Sequence, residues 1–256
     1  MSTLKKALRK VKEVTIGLEI AQYDSIKPFF KGKNGIEIGG PSRVFHKNHL
    51  LPVYRDARQV DGVNFSDFTV WENSIQEGRT YRYYSSQIGY QYIREASDLH
   101  GIADCSYDFL ISSHCLEHCA NPLKTLKEWT RVVAPGGVLL ILLPDKRGTF
   151  DHRRPTTSFS HLLADMENGT DESDLTHLDE ILSLHDLGRD AGIKDPDLFR
   201  ERSHKNLENR CLHHHVFDES LLTRSLEFTG LSVLFSTFQL PFHLISAVRK
   251  PPIDKD

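Results

Sequence analysis

Residues 106–118 read S-Y-D-F-L-I-S-S-H-C-L-E-H, and this run carries the strongest signal for the fold. Its apolar centre at Phe109, Leu110 and Ile111 predicts a strand over 107–113 that is buried in a sheet. The strand is expected to end at Ser113-His114, because polar residues follow the apolar ones at once. A strand tip of this kind predicts an α/β sheet with chemistry at the ends of its strands.

A second strand end lies earlier in the chain. Residues 35–42 read G-I-E-I-G-G-P-S, so an apolar strand stops at Ile38 and turns at once into two glycines. Glycine lets the backbone adopt a positive φ and approach a ligand closely. Ligands of open α/β sheets bind beyond the carboxyl ends of the strands. These eight residues alone fit an ordinary glycine turn equally well.

The remaining patterns predict further elements of such a sheet. Apolar runs predict strands at 50–54, ending within 93–99, and at 138–143, 231–239 and 243–249. Amphipathic spacing predicts helices at 123–133 and 218–229. The last two strands are expected to pair antiparallel, since a turn at Leu240-Pro241 separates them. The aromatic and polar stretch 65–92 is expected to mix loop and helix.

Composition narrows the function. The chain has 256 residues, of which 39% are hydrophobic and 26% charged, as in a water-soluble globular protein. Its net charge of -3 provides no basic surplus, which argues against a nucleic-acid partner. No apolar run approaches the roughly 20 residues that span a bilayer, and no secretory signal is evident. Four cysteines in a chain of this length predict a reducing, cytoplasmic setting.

Several short words follow one another in order along the centre of the chain. They are S-Y-D at 106–108, L-E-H at 116–118, N-P at 121–122, P-G-G at 135–137 and L-P-D at 143–145. Together these words resemble the class I S-adenosylmethionine-dependent methyltransferases, in the type 11-like branch with an L-E-H, N-P and P-G-G series. The resemblance covers residues 33–145.

The resemblance implies a fold and a division of the chain. The fold is a Rossmann-like sheet, mostly parallel with an antiparallel last strand, with helices on both faces and a helical insertion after the fifth strand. Residues 1–30 would form a basic helix and lead-in, and residues 31–145 the cofactor-binding core. Residues 146–215 would form a substrate-side insertion, and residues 216–256 a helix and final strand pair. The basic helix is expected to pack on the domain, with weak contact to an anionic membrane surface as the alternative.

The resemblance also assigns cofactor contacts, with S-adenosylmethionine as the cofactor. The first motif would cradle its methionine end through Glu37, Gly39, Gly40, Pro41 and Ser42, although Pro41 and Arg43 depart from the usual glycine series. Asp61 would bind the ribose, with Asn64 as a fallback and a simple turn aspartate as the alternative. The remaining matched residues are Glu95 and Ala96 at the adenine, and Ser112, Ser113 and His114 beside the sulfonium.

Methyl transfer to a hydroxyl needs a base, and histidine suits this role near neutral pH. His114 is expected nearest the methyl group and is the first candidate. His118 follows four residues later and is the second candidate, with a purely structural role as the alternative.

Residues on either side of the insertion are expected at the acceptor. They are Asp145, Asp151, His152, Arg153, His213 and His215. Carboxylates, imidazoles and guanidinium groups suit a polyhydroxylated or anionic acceptor. A divalent cation could be held by Asp145, Asp151 and a histidine. The alternative is a surface segment rich in solvated charge.

Three functions are therefore weighed. The first is O-methylation of a sugar hydroxyl in glycan or glycolipid assembly, by analogy with sequences that carry a T-F-D and R-P phrase like that at 149–155. The second changes the acceptor to a hydroxyl or amine of a lipid, a quinone or a natural product. The third is a non-catalytic module that only binds the cofactor. The sequence leaves the oligomeric state open.

Overall fold

The computed structural model describes residues 19–253. The predicted basic helix over residues 4–14 lies outside this range. Within it, eight strands form one sheet in the order β5-β6-β2-β1-β7-β8-β10-β9. The strands are β1 (Asn34–Ile38), β2 (Gln59–Asn64), β5 (Gly78–Tyr84), β6 (Gln87–Ile93), β7 (Tyr107–Ser113), β8 (Val133–Pro144), β9 (Ser232–Gln239) and β10 (His243–Arg249). A separate hairpin pairs β3 (Phe68–Thr69) with β4 (Asn73–Ser74).

The centre of the sheet is parallel. Strands β6, β2, β1, β7 and β8 all run in one direction. Strand β10 pairs antiparallel with both β8 and β9, and β5 pairs antiparallel with β6 at the other edge. This arrangement confirms the predicted Rossmann-like sheet with an antiparallel last strand.

Helices cover the sheet and fill the segment between β8 and β9. They are α1 (Tyr23–Ile26), α2 (Val53–Asp56), α3 (Pro122–Val132), α4 (Phe159–Asn168), α5 (Leu178–Leu184), α6 (Pro196–His204), α7 (Asn206–Asn209) and α8 (Glu219–Phe228). None of these described helices is long and apolar enough to cross a bilayer.

Two buried clusters sandwich the sheet. On one face, α3 packs Leu123, Leu126 and Trp129 against the strands, and the α8 residues Leu222 and Leu226 join this cluster. On the other face, aromatic side chains before and after β1 dominate the core. Helix α3 begins where expected because the Asn121 side chain accepts a hydrogen bond from the Lys124 backbone N–H.

The prediction of a strand at 50–54 is wrong. Residues 53–56 form the short helix α2, and the second strand is β2. Asp61 is polar and Gly62 has no side chain, so β2 lacks the continuous apolar run that would have predicted a strand. Gly62 is required there because the Tyr81 ring lies 2.3 Å from where a Cβ would stand.

The prediction of loop and helix over 65–92 is also wrong. This stretch contains β3 to β6 and no helix. Tyr81 and Tyr83 point into the core while Arg82 between them is exposed, which is the period-2 alternation of a half-buried strand. The tyrosines of this stretch are therefore strand residues, and Tyr81 lies against Gly40 of the first motif.

The tips of β1 and β7 lie side by side. Ile38 pairs with Ser112 in parallel register. A Cβ placed on Gly39 would stand 3.2 Å from the Cβ of Cys115. The two strand ends that the sequence marked therefore meet at one edge of the sheet.

Candidate active site

A cavity of about 450 Å³ opens at this edge of the sheet. The strand ends contribute Ile38, Gly39, Asn64, Ala96 and Ser113 to its wall, and the insertion closes it from the other side. The volume is in the range of cofactor and small-ligand pockets. The cavity therefore joins the predicted cofactor side to the predicted acceptor side.

Gly39 is the part of the first motif that reaches the cavity. Its φ is +81°, a conformation that favours glycine. Gly40, Pro41 and Ser42 continue the turn behind it and do not line the cavity. A Cβ on Gly40 would stand 2.2 Å from the Glu37 carboxyl carbon, so glycine is required for packing there.

Glu37 lies behind the turn, which corrects its predicted place at the cofactor. Its carboxylate is fully buried and accepts hydrogen bonds from Tyr54 Oη at 2.5 Å, Tyr81 Oη at 2.6 Å and the Ser42 backbone N–H at 2.9 Å. Burial raises the pKa of Glu37 to about 7, although the hydrogen bonds from Tyr54 and Tyr81 act in the opposite direction. The side chain thus fixes the loop from inside the protein.

The raised pKa of Glu37 predicts how stability depends on pH. Between pH about 4.5 and about 7 the carboxyl is protonated in the folded state and ionised in the unfolded state. Glu37 alone should therefore contribute a fall in stability of on the order of 3 kcal/mol as pH rises through this window, whereas a buried histidine such as His118 contributes in the opposite direction. Glu37→Gln should remove this contribution and make the slope of stability against pH more positive than in the wild type, measured by urea denaturation at each pH, whereas the exposed control Glu227→Gln should keep the wild-type slope. Equal slopes in wild type and Glu37→Gln would contradict this role.

Asp61 does not reach the cavity, which corrects its predicted place at the ribose. It lies in the middle of β2, and its carboxylate accepts hydrogen bonds from Tyr107 Oη at 2.7 Å and from the Tyr90 backbone N–H at 2.8 Å. The fallback residue Asn64 ends β2 and lines the cavity. Its side chain donates to Gly40 O at 3.0 Å, so it also links the second strand to the first motif.

Glu95 and Ala96 follow β6 and both line the cavity, at the place predicted for the adenine. The Glu95 carboxylate forms an ion pair with Arg210, which also contacts Glu172 at 3.2 Å. Burial raises the pKa of Glu172 to about 7, although Arg210 acts to lower it. The guanidinium of Arg210 lies over the Phe65 ring at 5.1 Å. This arginine therefore ties the insertion to the adenine side of the cavity.

Three residues at the end of β7, Ser112, Ser113 and His114, were predicted to lie at the cofactor, and two of them line the cavity. Ser113 and His114 line the cavity, whereas Ser112 is buried and donates to Ile38 O at 3.2 Å. His114 has a φ of +54°, an uncommon conformation for a residue other than glycine. Its Nε2 lies 3.0 Å from His243 Nδ1, and its Nδ1 lies 3.5 Å from a Glu117 oxygen. Both ring nitrogens of His114 are thus engaged by protein groups.

Glu117 is a buried carboxylate behind the cavity wall. It is 1% exposed, and among residues 19–253 neither of its oxygens has a hydrogen-bond partner. Burial acts to raise the pKa of Glu117, but the neighbouring imidazoles of His114, His118 and His213 outweigh it and the pKa is lowered. An ionised carboxylate therefore faces a group of imidazoles.

His118 lines the cavity with one ring nitrogen held and the other available. Its Nδ1 lies 2.9 Å from Leu212 O, and a carbonyl oxygen can only accept, so Nδ1 carries the proton. Its Nε2 then has a lone pair and lies 3.9 Å from the nearest Glu117 oxygen. Burial, and next the neighbouring His213, lower the pKa of His118 to about 4. The imidazole is therefore neutral near pH 7.

His213 also lines the cavity and packs its ring against that of His118, with ring centres 4.6 Å apart. Its Nδ1 lies 2.5 Å from the Asp151 carboxylate. Burial acts to lower the pKa of His213, but Asp151 outweighs it and the pKa is raised. Arg154 holds Asp151 from the other side at 3.0 Å. Asp151 therefore positions His213 without touching the cavity.

The comparisons with known proteins agree with this geometry. Residues 51–141 match a family model described as a methyltransferase domain. This match spans about a third of the chain, which is similar to a methyltransferase domain over that part. The match covers β2 to β8, so it includes the L-E-H turn and leaves out the first motif and the insertion. No curated protein sequence matched the chain.

Solved methyltransferase structures share the fold of the whole chain. A protein of Listeria monocytogenes described as an S-adenosylmethionine-dependent methyltransferase aligns with a TM-score of 0.50 at 15% identity, over 90% of this chain and 96% of its own. A Haloferax volcanii methyltransferase in complex with the Trm112 methyltransferase activator gives 0.51 at 13%, over 96% and 93%. One from Methanosarcina mazei gives 0.50 at 14%, over 92% and 100%. At these identities the likeness concerns the fold.

The residues that line the cavity fit S-adenosylmethionine. Gly39 leaves the wall beside the first strand open, since a side chain there would press against Cys115. The apolar side chains of Ile38, Val63 and Ala96 suit a flat base, and Glu95 supplies a carboxylate beside them. These residues would hold the cofactor, and the insertion would cover it.

Most of the acceptor residues predicted from the sequence lie away from the cavity. Asp145 forms an ion pair with Arg147 at 2.5 Å, His152 binds Asp186 at 2.8 Å, and Arg153 contacts the same aspartate from the surface. Buried His215 lies against Ala120 O at 3.2 Å. Of the six predicted residues only His213 lines the cavity.

The cation site predicted at Asp145, Asp151 and a histidine is not supported. Asp145 and Asp151 are occupied by separate partners, Arg147 and Arg154. The potential ligand atoms that do converge at the cavity belong to Glu117, His118 and His213, and they lie within 4.8 Å of one another.

The sequence reading missed several residues of the cavity. They are Phe65, Val70, Trp71, Arg94, Phe150, Glu172, Asp190, Arg202, Arg210 and Cys211. The insertion residues among them sit far apart in sequence and share no motif. The one available signal was Arg210, an arginine in the segment that returns to the sheet.

Proposed function

We propose that this methyltransferase transfers a methyl group from S-adenosylmethionine to a hydroxyl group of a small polar acceptor, with His118 as the base. The observation that carries the proposal is the fixed tautomer of His118. Leu212 O holds the proton on Nδ1, so the lone pair of Nε2 is free beside the cavity. We favour His118 over His114 because His114 Nε2 lies 3.0 Å from His243 Nδ1 and His114 Nδ1 faces the buried Glu117 at 3.5 Å.

Methyl transfer to a hydroxyl group does not require a strong base. When bound, S-adenosylmethionine supplies a methyl group on a sulfonium that an oxygen lone pair can displace, leaving S-adenosylhomocysteine. The acceptor oxygen becomes strongly acidic as its new bond forms, so a weak base is sufficient. His118 Nε2 takes that proton, and the ionised Glu117 stabilises the imidazolium that results. Holding donor and acceptor in line supplies most of the remaining rate.

Polar groups of the insertion support a polyhydroxylated acceptor. Arg202, Arg210 and Asp190 line the cavity together with His213. The Nε atoms of both arginines are buried and lack hydrogen-bond partners among residues 19–253. Donors without partners are costly, and hydroxyl or anionic oxygens of a ligand would satisfy them. We therefore retain a sugar hydroxyl, in a glycan or glycolipid, as the proposed acceptor.

A second acceptor class is supported by the apolar rim of the cavity. Phe65, Val70 and Trp71 form one side of it, and Val70 is 57% exposed. An aromatic natural product, a quinone or a lipid would bury these side chains. A purely non-catalytic module is the least supported function, since it leaves the free nitrogen of His118 without a purpose.

Two measurements test the proposal. Calorimetry with S-adenosylhomocysteine should give binding, and a panel of sugar nucleotides, glycolipids, quinones and phenols should give methylated product from the sugar group. Product from quinones or phenols alone would select the second class. Binding without turnover on any acceptor would leave the non-catalytic module, and no binding would overturn the proposal altogether.

Gly39 provides a test of the cofactor side. Gly39→Ala should cost about 1–3 kcal/mol of stability through its positive φ and should weaken S-adenosylhomocysteine binding, because the methyl group meets Cys115 at the cavity wall. Gly32→Ala is the matched control, since Gly32 has a φ of +71° and nothing within 4 Å of its Cβ position. It should lose similar stability and bind normally. Equal binding by both variants would refute the cofactor position.

A further inference from the structure

We propose that His161, His177, His215 and Asp165 form a binding site for one zinc ion. His161 and Asp165 lie one turn apart on α4, His177 directly precedes α5, and His215 lies on the segment that returns to the sheet. None of these four residues lines the cavity. The site is therefore separate from the proposed methyl-transfer chemistry and independent of it.

The donor atoms of the site converge. One potential ligand nitrogen from each of the three imidazoles lies within 4.8 Å of the other two. His161 Nε2 and His177 Nε2 are 2.9 Å apart. Asp165 Oδ2 lies 3.3 Å from His161 Nε2. His215 would offer its Nδ1, because its Nε2 donates to Ala120 O at 3.2 Å. Ligands of a single tetrahedral ion approach each other to similar distances when each is about 2.0–2.2 Å from the metal.

Two of these donors are buried without partners. Among residues 19–253, neither Asp165 Oδ2 nor His215 Nδ1 has a hydrogen-bond partner, and His215 is 1% exposed. The contacts of Asp165 Oδ2 with the imidazoles thus have ion-pair distances but lack hydrogen-bond geometry. A buried polar atom without a partner is unfavourable. A cation between these lone pairs would satisfy them.

The donor set favours zinc. Three imidazole nitrogens and one carboxylate oxygen are common ligands of zinc, whereas calcium and magnesium prefer oxygen alone. Four protein ligands leave no open position, as is usual for a structural site. The ligands come from three separate segments between residues 161 and 215, so the ion would fasten the insertion to its own return segment.

The test uses the full chain after treatment with a chelator and dialysis. Titration with zinc chloride should show one zinc ion bound per chain at the proposed site and should raise the melting temperature of the protein. His177→Ala should lower the affinity for that equivalent at least about 100-fold, since even loss of an outer-shell partner costs 10–100-fold. His161→Ala provides a second variant at a side chain that is 38% exposed, in case the first one folds poorly. Circular dichroism checks the fold of each.

Two controls separate this site from other imidazoles. His204→Ala changes an exposed histidine on α6 and should bind as wild type. His118→Ala removes one potential ligand from the separate group of Glu117, His118 and His213 at the cavity. This variant should still bind the zinc ion that His177→Ala fails to bind. The proposal is overturned if wild type binds no zinc, if both His177→Ala and His161→Ala bind like wild type, or if only His118→Ala loses the ion. In those cases the imidazoles and Asp165 interact with one another through hydrogen bonds and ion pairs, without a metal ion.

Discussion

Replacing His118 with asparagine is expected to lower kcat by about 10²- to 10⁴-fold, the usual contribution of a general base. Asparagine keeps an amide donor for Leu212 O but removes the lone pair of Nε2. Affinity for S-adenosylhomocysteine should stay within about twofold, because the base acts on the acceptor rather than on the cofactor. Single-turnover kinetics with the best acceptor measure the first effect, and calorimetry measures the second.

The pH dependence of the wild type sharpens this prediction. The pKa of His118 is lowered to about 4, so the imidazole stays neutral between pH 6 and 8 and its own titration should not lower kcat/KM there. An ordinary histidine would lose activity over the same interval as it takes up a proton. His100→Ala serves as the control because its side chain is 66% exposed and remote in sequence. An unchanged kcat in His118→Asn would remove His118 from the role of base.

Replacing Arg154 with alanine is expected to destabilise the protein by about 3–5 kcal/mol, the range for breaking a buried ion pair from one side. Arg154 is 2% exposed. Its guanidinium contacts Asp151 at 3.0 Å and Glu180 at 2.8 Å and also donates to His213 O at 2.8 Å. The substitution would leave Asp151 buried with a single partner and would free the backbone that carries His213.

The next residue in the chain supplies the matched control. Arg153 is 53% exposed and contacts only the half-buried Asp186 at 3.3 Å, so Arg153→Ala should change the free energy of unfolding by no more than about 0.5 kcal/mol. Urea denaturation of both variants at pH 7 makes the comparison. Arg154→Lys should recover only part of the loss, since lysine cannot reproduce a planar set of donors. Similar stabilities for the two alanine variants would show that Arg154 does not anchor the insertion.

Much of the fold was predictable from local apolar runs. Strand β7, helix α3 and the final strand pair have uninterrupted patterns and lie where expected. Strand β2 was missed because Asp61 contradicts a buried strand unless its partner Tyr107 is known, and that partner lies 46 residues away. The strands within residues 65–92 were missed because aromatic residues occur at both buried and partly exposed positions, so the alternation of a strand is not visible in the sequence.

The site was predictable in its placement and less so in its chemistry. The tips near Gly39 and His114 were expected to meet, and parallel pairing of β1 with β7 brings them together. Glu37 was misplaced because a carboxylate before a glycine turn looks like a ligand. Glu37 faces the interior because it is hydrogen-bonded by the hydroxyls of Tyr54 and Tyr81, which are far from it in sequence and could not be predicted as its partners. The partners of His118 and His213 were hidden for the same reason, since they come from other segments.

The insertion leaves and rejoins the sheet through a narrow stem. Thr157 and Val216 exchange hydrogen bonds at 2.9 and 3.0 Å, and Arg154 binds the carbonyls of His213 and His214 a few residues away. The insertion also contacts the core away from this stem, through the ion pair of Arg210 with Glu95 and the contact of Leu212 O with His118. A replacement of the insertion that changed acceptor preference would therefore have to preserve both the stem and these contacts.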